Sequence, residues 1–88
     1  MQTPVRVQVL LFAAHREVYG ESRVHLSLPA GADLEALFGE LVTRVPRMAD
    51  LRSFTTFALN REMVDASAVV HDGDEVALLQ PVSGGNHD

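Results

Sequence analysis

Cysteine is absent from this 88-residue chain. That excludes a disulfide framework, a thiolate metal site and a thiol nucleophile. Lysine is absent as well, and all seven basic residues are arginine. Compositional bias is the plain source of that usage. Its chemical consequence is that no ε-amine exists for Schiff-base chemistry or for acylation by an activated carboxyl group. Basic surface is also scarce: twelve acids against seven bases give a net charge of −5, with no basic run. A nucleic-acid partner is therefore disfavoured, because neutralising phosphates supplies most of the affinity in such complexes. No apolar stretch reaches the ~18 residues that span a bilayer. Met1-Gln2-Thr3-Pro4 lacks the basic stretch and apolar core of a signal peptide. A soluble, cytoplasmic protein is expected. A hydrophobic content of 47% argues against wholesale disorder, and the length leaves room for one small domain.

Patterning supplies the elements. Val5-Arg6-Val7-Gln8-Val9 alternates with period two and runs into Leu10-Leu11-Phe12, which predicts a strand. Arg23-Val24-His25-Leu26-Ser27-Leu28 alternates again and stops at Pro29-Ala30-Gly31. The two are expected to form an antiparallel hairpin with residues 13–22 as a long loop. Asp33 stands at an N-cap position. Behind it Leu34, Leu37, Phe38, Leu41, Val42 and Val45 make one apolar stripe. This predicts a helix over 33–45, about 20 Å long, with Glu35, Glu40 and Arg44 on its wet side and Pro46 ending it. Thr56-Phe57-Ala58-Leu59 reads as a short strand, Asn60-Arg61 as a turn and Glu62-Met63-Val64 as a short return. After the turn Asp72-Gly73-Asp74, the run Glu75-Val76-Ala77-Leu78-Leu79 is apolar on both faces, as a central strand would be. A helix that follows a hairpin must bury its stripe on that sheet. The crossover also lets the last strand lie parallel to the first. The predicted class is α+β: a β-grasp, with a mixed sheet of 4–5 strands packed on one main helix. The domain is expected over 1–82, with 83–88 as a flexible tail carrying Gly84-Gly85.

The usual catalytic sets are missing. His15, His25, His71 and His87 include no pair with metal-ligand spacing. His25 lies on the polar face of a strand. Asp72-Gly73-Asp74-Glu75 lacks the spacing of a calcium loop and reads as a tight turn. Gly84-Gly85 follows a strand but opens no helix, so it is not a phosphate cradle. What remains is the tail itself. On its residues alone Val82-Ser83-Gly84-Gly85 reads as a frayed terminus. Equally, two glycines make a strip without side chains that fits a narrow channel.

Three segments then carry a resemblance. Phe12-Ala13-x-x-Arg16-Glu17-x-x-Gly20 resembles the segment after the first strand in small subunits of molybdopterin synthase. Ala58-x-Asn60-x-Glu62 is similar to that family's middle strand and turn. Asp72-Gly73-Asp74-Glu75-Val76-Ala77, followed by Pro81-Val82-Ser83-Gly84-Gly85, is similar to its last strand and tail. The resemblance implies a ubiquitin-like sulfur carrier that is not catalytic alone and binds no cofactor. It implies that the terminal glycine is adenylated by a ubiquitin-activating-type enzyme using ATP and Mg²⁺ and then becomes a thiocarboxylate. The tail would dock into the large subunit of molybdopterin synthase and pass sulfur to cyclic pyranopterin monophosphate. Carried onto this chain, the reactive carboxyl belongs to Gly85, and Gly84 gives clearance. Pro81, Val82 and Ser83 lead the tail into the partner. Carriers for thiamin, cysteine or tRNA thiolation, and a non-catalytic β-grasp adaptor, are the alternatives.

The chain departs from the family pattern twice. Gln80 stands where proline is frequent, and Asn86-His87-Asp88 follow the diglycine. A carboxyl group held in a peptide bond cannot be adenylated, so either a processing protease removes 86–88 or the chain as encoded is not an active carrier. Leu10 and Phe12 lie out of phase with Val5, Val7 and Val9. Either they lie on the sheet face away from the helix, as part of the docking surface, or a twisted central strand buries both of its faces. The net charge alone suggests a basic partner.

Overall fold

A computed structural model describes residues 3–81. Its elements run β1 (Val5–Leu11), α1 (Ala13–Tyr19), β2 (Arg23–Leu28), α2 (Leu34–Arg44), a 3-10 helix (Pro46–Phe54), β3 (Thr56–Leu59), β4 (Glu62–Val64) and β5 (Glu75–Leu79). The strands form one sheet in the order β2-β1-β5-β3-β4. β1 pairs antiparallel with β2, Val5 opposite Leu28 and Val9 opposite Val24. It pairs parallel with β5, Val9 beside Val76 and Leu11 beside Leu78. β5 is central and runs parallel to β1, as its two apolar faces and the long crossover predict.

Period two decides the inner face. Val7, Val9 and Leu11 of β1, Val24, Leu26 and Leu28 of β2, and Val76 and Leu78 of β5 are all buried. α2 lays Leu34, Leu37, Phe38 and Leu41 against them. Asp33 caps α2 as expected, its carboxylate accepting from the Ala36 amide at 2.9 Å, which satisfies one of the donors a helix start leaves orphaned. The helix ends one residue sooner than its stripe. Val45 is extended, with φ −134° and ψ 93°, because the ring of Pro46 disfavours helical geometry in the residue before it. Pro46 then opens the 3-10 helix, where its missing N–H costs nothing.

Phe38 and Phe57 meet edge to face, with centroids 6.3 Å apart. The Arg52 guanidinium lies 5.8 Å and 5.2 Å from the two ring centroids. It also donates to both oxygens of Glu35, at 2.9 and 2.6 Å. Those bonds hold the Glu35 carboxyl below the usual range. The fork ties α2 to the 3-10 helix across a partly exposed seam, so the pair and the ring contact together contribute about 1 kcal/mol. Arg52→Ala is expected to lower Tm by roughly 4–8 °C in a domain of this size. Calorimetry of Arg52→Ala, Glu35→Gln and the double variant checks this, because the double variant should lose less than the sum of the singles.

Residues 13–22, expected as a loop, hold α1. Its seven residues are too few to show a helical stripe, and its most buried member is polar: His15 is 1% exposed. Gly20 ends it in the left-handed region at φ 99°, its amide donating to the Arg16 carbonyl at 2.8 Å. His15 joins α1 to the rest: its Nε2 lies 2.7 Å from the Thr55 hydroxyl, which lies 2.6 Å from the Leu51 carbonyl. A carbonyl only accepts, so Thr55 donates to Leu51 and accepts from His15, and the neutral ring carries its proton on Nε2.

Burial pushes the His15 pKa below its ordinary 6.5. In the unfolded chain the ring takes a proton near pH 6.5; in the folded chain it resists until lower pH. Between those two values the unfolded state holds more protons, so stability falls on acidification. Acidification from pH 7.5 to 5.5 crosses the unfolded ring's titration and should therefore lower stability. In urea unfolding at the two pH values, His15→Gln should lose correspondingly less stability than the parent. An equal loss in both would show that His15 does not titrate in this way.

Candidate functional site

The sheet face away from α2 is assembled by register. Leu10 stands beside Arg23 on one side and Ala77 on the other. Ala77 faces Ala58, and Ala58 faces Met63. One row across all five strands therefore reads Arg23, Leu10, Ala77, Ala58, Met63. Leu10 and Ala77 are half-buried, Ala58 is buried between its neighbours, and Met63 is 61% exposed. Alanine at the two middle positions keeps the row shallow. Leu79, beside Thr56 on β3, is in phase with Ala77 and extends the apolar surface.

The chain end leaves from this surface. Because β1 and β5 are parallel and Leu11 stands beside Leu78, both strands finish at the same end of the sheet. Phe12 and the run Leu79-Gln80-Pro81 therefore depart side by side. Leu10 is where the sequence placed it. Phe12 is the first residue past β1 instead of its last member, and precedes α1 with φ −127° and ψ 157°. It is 47% exposed. The chain turns sharply just after it, at Ala13 with φ 46°, a left-handed conformation that costs a non-glycine residue about 1 kcal/mol or more. His15 bolts down the helix that follows this turn. Pro81 is exposed. Val82, Ser83, Gly84 and Gly85, the remaining residues assigned to the tail, lie outside the described residues, as do 86–88.

Two sequence motifs prove to be architectural. Asn60 and Arg61 both have positive φ, 50° and 74°, the tight turn that matches strand twist in a hairpin. Asn60 reaches across to β5: its Nδ2 donates to Asp74 and its Oδ1 accepts from the Glu75 amide, both at 2.9 Å. The Asp72-Gly73-Asp74 carboxylates are turned inward. Asp72 accepts from the Arg6 amide at 2.8 Å and Asp74 from the His71 amide at 2.7 Å, while Gly73 sits at φ 89°. Among the described residues no group of three or more His, Asp or Glu side chains is placed to hold a metal ion. No helix among them is long and apolar enough to cross a membrane.

The row partners Ala77, Ala58, Met63 and Leu79 were missed by sequence reasoning. Their signal is the alternation within β5 and β3, which assigns a face only once the pairing with β1 is known.

A mixed sheet with parallel central strands, one long helix across its inner face and a chain end leaving beside an apolar outer face defines the ubiquitin-like β-grasp class. Within that class, the sequence matches the family model described as the ThiS family over residues 9–85, and the chain belongs to that family. It is similar to a relative from Arabidopsis thaliana described as molybdopterin synthase sulfur carrier subunit. The two are 40% identical over 92% of this chain and 84% of the relative. A candidate molybdopterin converting factor subunit 1 from Pyrococcus furiosus has a similar structure, with TM-score 0.80 and 28% identity over 89% of this chain and 99% of that one. A Helicobacter pylori chain with TM-score 0.64 and 24% identity, covering 92% of this chain and 100% of that one, shares the fold. It comes from a complex of subunits 1 and 2 of molybdopterin-converting factor.

Proposed function

We propose that this protein is a sulfur carrier in molybdenum cofactor biosynthesis. The observation that carries the reading is the likeness, over nearly the whole chain, to relatives described as molybdopterin synthase sulfur carrier subunits. The geometry agrees in kind. The described residues present an apolar outer sheet face beside the strand end that leads to 82–85.

In this reading Gly85 supplies the reactive carboxylate once 86–88 are removed. A carboxylate oxygen attacks the α-phosphorus of ATP on an adenylating enzyme of the ubiquitin-activating type, and pyrophosphate leaves with Mg²⁺ support. Sulfide then attacks the acyl carbon, AMP leaves, and a thiocarboxylate remains. The tail enters the large subunit of molybdopterin synthase, with Gly84 and Gly85 passing where a Cβ would clash. There the thiocarboxylate sulfur attacks a side-chain carbon of cyclic pyranopterin monophosphate and displaces that carbon's oxygen substituent, and water then cleaves the acyl–sulfur bond, leaving sulfur on the pterin and the carboxylate on Gly85. The lysine-free chain offers the activated carboxyl no internal ε-amine.

Complementation tests the pathway. In a strain lacking its own molybdopterin synthase carrier, a form ending at Gly85 should restore molybdoenzyme activity when its cognate large subunit is supplied. Restoration only of thiamin synthesis, in a strain lacking that carrier, would move the assignment to the other sulfur pathway. Restoration of neither would favour the adaptor.

A further inference from the structure

We propose that the outer sheet face carries a cationic flank, Arg6 and Arg23, which seats on carboxylates of the same partner surface that covers Leu10 and Ala77. The inference rests on the docking reading above and specifies the partner: apolar at its centre and acidic along the side that meets β2. The chain's net charge of −5 points to a basic partner, but the distribution of charge points the other way on this face.

Outward positions on β1 and β2 are Arg6, Gln8 and Leu10, paired with Ser27, His25 and Arg23. Arg6 and Arg23 are exposed. Among the described residues neither guanidinium has a carboxylate within ion-pair distance, whereas Arg44 and Arg52 are engaged by Glu40 and Glu35. No carboxylate stands at an outward position of β1 or β2, and those of β5 and the turn before it hold internal hydrogen bonds. Glu75 accepts from the Gln8 amide at 3.2 Å, Asp72 from the Arg6 backbone, and Asp74 from Asn60 and His71. A shallow groove of about 390 Å³ runs between Arg6 and the turn, lined by Arg6, Gln8, His25, Ser27, Gly73 and Asp74 among others. Arg23 ends the apolar row directly beside Leu10. Arg6 lies four residues back along β1 from Leu10, roughly 13 Å at strand rise, so the two cations would meet separate carboxylates. Burying this row under a partner brings Arg23 to the edge of the desolvated patch, where an unpaired charge is costly and a paired one fixes register.

The test is association kinetics with the cognate large subunit at low and high salt, using Arg6→Glu/Arg23→Glu and, in parallel, Phe12→Ala. Circular dichroism first confirms that the variants are folded; both arginines are solvent-facing, so the core is untouched. Charge reversal should slow association roughly tenfold or more at low salt, and most of that difference should vanish near 1 M salt, where screening acts within about 3 Å. Unchanged or faster association of the reversed variant, with the Phe12→Ala complex still dissociating faster than the parent's, would overturn the cationic flank and leave the docking face standing. If Phe12→Ala also binds like the parent, the docking reading fails and the flank with it.

Discussion

The chain cut after Gly85 should become thiocarboxylated in the presence of ATP, the activating enzyme and a sulfur donor, and the 88-residue chain should not. The reason is elementary. In the longer chain the Gly85 carbonyl is an amide and has no oxygen free to attack phosphorus, and the free carboxylate belongs to Asp88. A channel shaped for glycine would also meet side chains at Asn86, His87 and Asp88. The expected difference is all or none, since no rearrangement of an intact peptide bond supplies the missing carboxylate. Intact-mass spectrometry reads it as one oxygen replaced by sulfur. Where a processing protease operates, a fraction of the cellular protein should already end at Gly85. Thiolation of the uncleaved chain at Asp88 would end the role proposed for Gly85.

Phe12→Ala should weaken binding to the cognate large subunit by about 2 kcal/mol or more, close to 30-fold. Phe12 is 47% exposed and follows Leu10 and Leu11 at the end of the sheet where the tail departs. A partner that receives the tail and seats on the outer sheet face would cover it. The loss should fall mainly on dissociation, because removing an apolar anchor leaves long-range steering unchanged. Fold stability should change little, since the ring is not part of the buried core. Calorimetric titration and thermal unfolding of the same variant separate the two. An unchanged affinity in a folded variant would remove Phe12 from the interface.

Much of this architecture was legible because period two and period 3.6 are written by burial. The inner residues of β1 and β2, the stripe of α2 and the two apolar faces of β5 each report how many sides of an element meet the core. α1 was not legible, because a seven-residue helix fixed by one buried imidazole and a left-handed glycine shows no stripe. The outer row was only half legible. Leu10 could be read from its phase in β1, but Ala77, Ala58 and Met63 share its face through the pairings of β5, β3 and β4, which are long-range facts. Net charge is silent on placement for a related reason: a value of −5 does not show that Arg6 and Arg23 share the outward face of β1 and β2.

The central claim is that Gly85 carries sulfur to a pterin. The most direct measurement is a single-turnover transfer with isotopically labelled thiocarboxylate on the chain ending at Gly85, mixed with the cognate large subunit and cyclic pyranopterin monophosphate. The account predicts that label leaves the chain and appears in the pterin's new carbon–sulfur bonds, with the carrier recovered as the plain carboxylate. Label that stays on the carrier, or leaves only as free sulfide while the pterin remains sulfur-free, would contradict it.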